Sequence, residues 1–287
     1  MTAQADVLYC AQVTKMSPKT IHVHSENNDF QHVEVLKRNR TKRQAYRECF
    51  VEGVLPLTRA LEYGWELHTL VYSSGVRLSK WAQEIVDRST AETHLALSPT
   101  LMARLSDKED PSELLAVFAT PPDDLGRIPV HEHLLVVAFD RPSNHGNLGT
   151  IIRSCDALGA DGLVITGHAV DLYDTRTIRA SVGSIFGLAV VRLSSYRDLA
   201  AWRDKQDAQL GAIQIIGTSA KAEVDVANVD LTGPTILVIG NETIGLSKNF
   251  RAICQQMVRI PMSGAASSLN VANAASILLY EAARQRS

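Results

Sequence analysis

The sequence predicts an α/β protein of two domains, the second of which is built on a parallel sheet. Short apolar runs alternate with helix-like segments along most of the chain. The runs at 134–139 and 162–166 are almost continuously apolar, as expected of strands that are covered on both faces. Between the two halves, residues 119–129 are rich in Pro, Asp and Gly, which interrupt periodicity and mark a linker.

These features divide the chain into three parts. We predict a partly ordered polar arm over 1–30, because this stretch has little periodicity. A small α/β domain follows over 31–128, and a larger one over 129–287. The small domain is predicted to contain a short strand that leads through Gly53 into a helix ending at Gly64, then a strand at 67–72 and a helix at 80–89.

The larger domain is predicted to alternate strands with helices throughout. The predicted strands are 134–139, 162–166, 188–192, 212–217, 235–239 and 257–260, and the helices are 148–159, 175–184, 196–206, 246–254 and 268–284. Ser267 or Ser268 is a plausible N-cap for the last of these helices.

Composition limits the class of protein. A hydrophobic fraction of 45% and a charged fraction of 21% are ordinary for a globular protein in solution. No apolar run reaches the roughly 18 residues of a membrane span, and the N-terminus does not resemble a signal peptide. The 4 cysteines are scattered without metal-binding spacing. We therefore expect a cytoplasmic protein with no membrane partner and no metal.

One short segment is strongly basic although the whole chain carries a formal charge of only −2. It is formed by Lys37, Arg38, Arg40, Lys42 and Arg43. Such a cluster is either a solvated helix surface or a contact for the phosphates of RNA. The sequence alone leaves both interpretations open.

Three short motifs occur in the second half of the chain. They read N-L-G-T-I-I-R at 147–153, G-N-E-T-I-G-L at 240–246 and I-P-M-S-G-A-A-S-S-L-N-V at 260–271. Each alone is weak evidence, and the third by itself is an ordinary strand–loop–helix joint. In this order they resemble the signature motifs of the SpoU (TrmH-type) RNA ribose methyltransferases of the SPOUT superfamily. The resemblance is strong from residue 133 to the C-terminus and looser before it.

The resemblance implies a fold and an activity. It implies a C-terminal SPOUT domain with a deep trefoil knot, preceded by a smaller α/β domain of the L30/L7Ae type that holds RNA. It also implies S-adenosylmethionine as cofactor, 2′-O-methylation of an RNA ribose, and a homodimer formed through the catalytic domain. Large-subunit (23S) rRNA is the expected substrate. The chain also resembles actinobacterial self-resistance enzymes of this family, so a housekeeping role and a role in antibiotic resistance both stay open.

The same resemblance implies the site residues. Gly240, Ile260 and Leu269 are expected at the cofactor, and the expected catalytic residues are Arg153, Asn147, Glu242, Ser268 and Asn270. Two roles are open for Arg153. It could clamp a phosphate and stabilise developing negative charge. It could also act as a general base, although a guanidinium stays protonated in proteins without unusual help. Glu242 either orders Arg153 and the neighbouring loops or caps the next helix.

The loop before Asn147 departs from the family pattern. It reads Arg141-Pro142-Ser143-Asn144, where many relatives have D-P-x-N, and Asp140 lies one position upstream. We therefore expect a local geometry that differs from that of those relatives. His145 is interpreted as a solvated loop histidine, not as a base. Arg179, within R-A-S-V-G, could hold a phosphate or merely belong to its helix.

Other functions are weighed against this one. A dinucleotide-dependent enzyme is disfavoured because residues 144–149 lack the G-x-G-x-x-G fingerprint. The nearest enzyme alternative is a tRNA ribose methyltransferase. A non-catalytic RNA-binding or ribosome-assembly factor is the alternative from another class.

Overall fold

The N-terminal half forms a mixed five-stranded sheet with five helices in the computed structural model, which describes residues 18–287. Its strands are β1 Lys19–Val23, β2 Glu48–Glu52, β3 Leu67–Ser73, β4 Thr93–Leu97 and β5 Leu114–Ala119. Its helices are α1 Asn28–Arg38, α2 Arg40–Tyr46, α3 Val54–Glu62, α4 Lys80–Arg88 and α5 Pro99–Leu105. The sheet order is β1-β4-β3-β5-β2, and β5 runs antiparallel to both of its neighbours.

The predicted arm over 1–30 is too long. Residues 1–17 lie outside the described residues, but Lys19–Val23 is already an edge strand that pairs in parallel with β4. Helix α1 then begins at Asn28, after Asn27 accepts a hydrogen bond from the amide of Phe30. The strand has little apolar signal because an edge strand buries few of its side chains, and the pattern of β1 is mostly exposed.

The C-terminal half forms a seven-stranded sheet in which all neighbouring strands are parallel, as predicted. Its strands are β6 Leu135–Asp140, β7 Gly162–Thr166, β8 Ala189–Leu193, β9 Gln214–Thr218, β10 Val224–Asp225, β11 Thr235–Ile239 and β12 Gln256–Arg259. Its helices are α6 His145–Ala157, α7 Thr175–Ser181, α8 Tyr196–Leu210, α9 Lys248–Ile253 and α10 Val271–Arg286. The strand order is β10-β12-β9-β11-β6-β7-β8.

One of the hydrophobic cores is shared by the two halves of the protein. Alternate residues of β6 point to opposite faces of the sheet: Val136 joins one core, and Val137 joins the other. The core around Val137 continues without a break into the N-terminal half, where Phe118 packs against Phe186. Trp65 also donates a hydrogen bond from Nε1 to the carbonyl of Phe186 at 3.0 Å. The predicted domain boundary at 128 falls in the connection between β5 and β6.

Two predicted helix starts need correction. Helix α6 begins at His145, before the predicted residue 148, because Asn144 caps it by accepting from the amide of Asn147. Helix α10 begins only at Val271, and its cap is Asn270 instead of Ser267 or Ser268. The Asn270 side chain accepts from the amides of Ala272 and Asn273, which satisfies two of the orphan donors at a helix start.

No helix within residues 18–287 has the length and apolar character needed to cross a membrane. No group of three or more His, Cys, Asp or Glu side chains in the same range is placed to bind a metal ion.

Candidate active site at the carboxyl edge of the parallel sheet

The three motifs meet at one edge of the seven-stranded sheet. The first follows β6, the second follows β11 and the third follows β12. Strand β11 lies between β6 and β9, and β9 pairs with β12, so these ends are close neighbours. All the strands are parallel, and their carboxyl ends therefore open onto a single edge, which is where open α/β sheets commonly bind ligands.

Glu242 joins the second motif to the loop before the first. Its carboxylate accepts hydrogen bonds from the amide and hydroxyl of Ser143 at 3.0 and 2.7 Å. It also accepts from the amide of Asn144 at 3.2 Å and from Nδ2 of Asn147 at 3.4 Å. Burial by itself would raise the pKa of Glu242, but these hydrogen bonds outweigh burial and hold the pKa below its ordinary value. Glu242 is therefore an ionised organiser of the loop at neutral pH.

Asn147 extends this network to the third motif. Its Oδ1 accepts a hydrogen bond from Nδ2 of Asn270 at 3.2 Å, while its Nδ2 donates to Glu242. Because Asn270 also caps α10, the three motifs are connected through side chains as well as through the sheet. The helix-cap alternative for Glu242 is not what the structure shows, since Ser247 caps the helix that follows, α9.

Arg153 takes no part in this network. It lies six residues beyond Asn147 on α6, which places it about 9 Å along the helix axis and about 120° around it. The side chain is exposed, and among residues 18–287 it has no hydrogen-bond or ion-pair partner. Glu242 thus orders the first loop without contacting Arg153, and the guanidinium is available to a ligand.

A cavity of about 430 Å³ opens beside the network. Its wall contains all the predicted cofactor residues, Gly240, Ile260 and Leu269, together with Ser268. The sequence interpretation missed another part of the wall, residues 218–221 at the end of β9 and just beyond it, because that stretch carries no motif.

The chemistry of this cavity fits S-adenosylmethionine. An adenosyl group needs an apolar slot with a few fixed polar groups, and ligand cavities of several hundred cubic ångströms are usual. Ile244, Leu269 and Met262 line the opening and are 65%, 38% and 36% exposed, so a ligand there would cover apolar surface. Residues 218–221 and 240–246 line the same cavity.

Gly240 is needed for close packing in the second motif. A Cβ at this position would lie 2.4 Å from both the carbonyl carbon of Gly245 and the amide nitrogen of Leu246. Backbone amides cannot move aside as a flexible side chain can. The turn of the second motif therefore fills the space that a side chain at residue 240 would occupy.

The departure from the family pattern at residue 141 has a structural explanation. Arg141 has a left-handed backbone with φ 54° and donates two 2.9 Å hydrogen bonds to the carboxylate of Asp140. Asp140 also accepts from the amide of Ser247 at 2.8 Å. Asn241 donates from Nδ2 to the carbonyl of Arg141 at 2.7 Å. These contacts fasten the second motif to the end of β6.

The remaining candidates near the first motif have structural partners. Half-buried His145 lies 3.7 Å from a carboxylate oxygen of Asp174, and burial lowers its pKa despite this neighbour. Arg179 forms an ion pair with Asp107 at 3.1 Å. The exposed end of Arg179 is still accessible, but neither residue lies in the Glu242 network.

The basic segment divides into buried and exposed residues, and the prediction for Arg43 is wrong. Arg43 is 3% exposed, and its guanidinium lies 2.7 Å from the carboxylate of Asp171, which is 4% exposed. It also donates to the carbonyl oxygens of Leu36 and Lys37. A group so enclosed cannot reach an RNA phosphate. Lys37 is paired with Asp107 at 2.7 Å and its side chain is 9% exposed.

The other basic residues of the segment remain candidates for RNA contact. Arg38, Arg40 and Lys42 are exposed on α1 and α2. Arg40 donates from one terminal nitrogen to the carbonyl of Ala169 at 2.7 Å, and its other nitrogens have no partner within 18–287. Arg43 thus anchors α2 while its neighbours face solvent.

The parallel sheet, the three joined motifs and the cavity define the second half as a methyltransferase domain of the SpoU type. The chain belongs to the SpoU rRNA methylase family: the model of that family matches residues 134–280, and the model of the SpoU L30e-like domain matches residues 27–116. This confirms the resemblance inferred from the motifs.

Individual relatives also support the assignment of the chain to this family. The chain is 46% identical over 271 residues, 94% of each protein, to a 23S rRNA (uridine(2479)-2′-O)-methyltransferase of Streptomyces viridochromogenes. The structure of the SpoU methyltransferase AviRb of that organism in complex with the cofactor AdoMet superposes with a TM-score of 0.87 at 47% identity, covering 91% of this chain and 98% of that one. An AdoMet-bound rRNA methyltransferase of Sinorhizobium meliloti gives a TM-score of 0.80 at 30% identity, covering 92% and 98%.

Proposed function

We propose that this protein transfers a methyl group from S-adenosylmethionine to the 2′-hydroxyl of a ribose in 23S rRNA, and that the target nucleotide is a uridine. The observation that carries the proposal is the network through Glu242, Asn147 and Asn270, which joins all three family motifs beside the cavity. The 46% identity to a 23S rRNA uridine 2′-O-methyltransferase over 94% of both chains supports the substrate.

The cavity at the second and third motifs is the proposed cofactor site. Gly240, Ile260 and Leu269 would hold S-adenosylmethionine, which supplies an electrophilic methyl group when bound. We propose that the chain from β11 to α10 forms the deep trefoil knot implied by the family. Most of the cavity wall comes from this stretch, and residues 218–221 complete it.

The proposed task of the network is to fix the reacting ribose. Ionised Glu242 holds the loop from Ser143 to Asn147, and Asn147 holds Asn270. Ser268 lies in the cavity wall beside them. A fixed loop positions the 2′-oxygen in line with the methyl group, and positioning two bound reactants can supply much of a rate enhancement.

Arg153 is proposed to bind a phosphate beside the target ribose. Its exposed guanidinium has no partner within residues 18–287, and guanidinium is well suited to bind phosphate in a bidentate manner. The general-base role is kept as the alternative. Arg153→Lys retains charge but not the fork geometry, so it should raise KM for RNA if Arg153 is a clamp. A collapse of kcat with unchanged KM would favour the general base.

The proposed partners are rRNA and a second copy of the chain, and the proposed location is the cytoplasm. The L30-like N-terminal half would hold rRNA through exposed Arg38, Arg40 and Lys42. A homodimer is proposed through the outer face of α10, where Ile277 and Tyr280 are 41% and 61% exposed. Apolar side chains so exposed are common at interfaces between subunits. The cytoplasm is the proposed location, because rRNA is modified there.

Transfer from labelled S-adenosylmethionine to large-subunit rRNA and, separately, to total tRNA tests this proposal. Nucleoside analysis should find 2′-O-methyluridine in rRNA only. Label in tRNA alone would replace the substrate with tRNA. Cofactor binding without transfer to any RNA would favour the RNA-binding or assembly factor. If the modification protects ribosomes from an antibiotic, expressing the protein in a susceptible bacterium should raise the inhibitory concentration.

A further inference from the structure

A second cleft lies between the two halves of the chain, apart from the cofactor cavity. It has a volume of about 460 Å³ and is lined from both sides. Residues 40–47 of α2 and its C-terminal end form one wall, the linker at 120–123 forms another, and the ends of β7 and β8 form the third. None of the three family motifs contributes to it.

The cleft carries an excess of positive charge. Four arginines line it, Arg40, Arg43, Arg47 and Arg192, against two aspartates, Asp123 and Asp171. Both aspartates are already neutralised by arginines of the same cleft. The carboxylate of Asp171 pairs with Arg43, and that of Asp123 lies 2.8 Å from a terminal nitrogen of Arg192.

Two guanidinium groups of the cleft have no carboxylate partner within residues 18–287. Arg40 uses one terminal nitrogen on the carbonyl of Ala169, and the exposed side chain of Arg47 has no partner among the described residues. Both lie on α2 or at its C-terminal end, and this helix is fastened to other parts of the chain. Arg47 ends α2 in the left-handed conformation with φ 55°, and its carbonyl accepts from the amide of Thr120 at 2.8 Å. The buried ion pair of Arg43 fastens the same helix to the C-terminal half.

The position of the cleft relates it to the active site. Its third wall is formed at the carboxyl ends of β7 and β8. The cofactor cavity lies at the same edge of the sheet, beyond β6. Three strand spacings separate β8 from β11, which is about 14 Å. The loop after β6 lies between the two, and the amide of Val170 donates to the carbonyl of Pro142 at 2.9 Å.

We propose that this junction cleft binds the phosphodiester backbone of the substrate RNA to one side of the methylated nucleotide. Arg40 and Arg47 supply the phosphate contacts. The inference rests on the proposed function, because it takes RNA to be the substrate. Phosphate is favoured as the ligand chemistry because the cleft offers guanidinium groups without a carboxylate partner from one half and polar groups such as Ser194 from the other. An RNA strand held here would touch both halves of the protein and lead toward the cofactor cavity.

The test uses the full-length protein with Arg40→Ala and Arg47→Ala combined, and Arg47→Ala alone. The single variant is included because removing Arg40 could loosen the junction between the halves. Arg47 has no side-chain partner among residues 18–287, so its removal should leave the junction intact. Direct binding to a 23S rRNA fragment is measured over a series of salt concentrations, alongside KM and the dissociation constant for S-adenosylmethionine. The control combines Arg77→Ala with Arg88→Ala, two exposed arginines outside the cleft.

The double variant should bind RNA roughly tenfold more weakly than the wild type. The slope of the logarithm of the binding constant against the logarithm of the salt concentration should be less steep by about 1.4, because each lost contact to single-stranded RNA contributes about 0.7. Arg47→Ala should show about half of this change in slope, and cofactor affinity should not change. Wild-type slope and affinity in both variants, or an equal loss in the control, would overturn the inference. Binding is read without turnover, so an absence of rRNA methylation in the wild type would defeat the proposed function and leave this test intact.

Discussion

Arg43 offers the sharpest prediction, because its sequence context and its structural position indicate opposite roles. It lies in the most basic segment of the chain, yet its side chain is buried against Asp171 from the other half of the protein. Nε of Arg43 donates to Asp171 at 2.7 Å, and the Leu36 and Lys37 carbonyls accept from Nη1 at 2.6 and 2.9 Å. Removing one partner of a buried ion pair costs about 3–5 kcal/mol, since it leaves the other charge buried and uncompensated.

We therefore expect Arg43→Met to lower the free energy of unfolding by about 3–5 kcal/mol. The matched control is Arg38→Met, five residues earlier, whose side chain is 65% exposed and which should change stability by about 0.5 kcal/mol at most. Replacing Asp171 by Leu in the Arg43→Met background should recover part of the loss, because it removes the unpaired charge.

Urea unfolding followed by tryptophan fluorescence and circular dichroism measures these differences. Agreement between the two probes checks that both halves unfold together, as their shared core predicts. A variant that unfolds at the wild-type urea concentration but binds rRNA more weakly would refute the assignment of Arg43 as an anchor. It would restore the interpretation of this residue as an RNA contact.

Further predictions concern the active site. Glu242→Gln keeps the side-chain size but removes the charge that accepts four hydrogen bonds, and should lower kcat about tenfold to a hundredfold in the methyl-transfer assay. Because the pKa of Glu242 is lowered in the folded protein, its stabilising contribution is present above the ordinary carboxyl pKa and is lost as pH falls through the lowered pKa. Melting temperatures at neutral and acid pH should thus differ more for the wild type than for Glu242→Gln. Gly240→Ala should weaken cofactor binding, measured by calorimetry, and should lower the free energy of unfolding by about 1–3 kcal/mol. Gly233→Ala should have neither effect, because its added Cβ would have no atom within 4 Å. Asn270→Ala removes the cap of α10 and should lower the free energy of unfolding, measured in urea, by about 1 kcal/mol.

The larger domain could be predicted because its signals are local. A strand covered on both faces must be apolar throughout, so β6, β7 and β11 are visible in the sequence. The motif residues also carry family information that survives without a structure. Strand β1 is polar and lies at an edge, and β10 has only two residues, so neither produces a pattern that could be distinguished from a loop.

Contacts between distant residues explain most of what the sequence did not reveal. Arg43 and Asp171 are 128 residues apart, and nothing in the basic segment indicates which of its arginines is buried. The bonds from Ser143 to Glu242 span 99 residues. The choice between Asn270 and Ser268 as helix cap is also decided by tertiary structure, since Asn270 is the residue that is bonded to Asn147 as well.

The central claim is that the joined motifs perform ribose methylation of 23S rRNA, and nucleoside mass spectrometry of the reacted rRNA tests it most directly. Wild-type protein and Arg153→Ala are incubated with unmodified 23S rRNA and S-adenosylmethionine, and the digested nucleosides are quantified. We expect 2′-O-methyluridine at a single site with the wild type and a large loss of this product with the variant. A methyl group on a base instead of the ribose, or equal product from the two proteins, would contradict it.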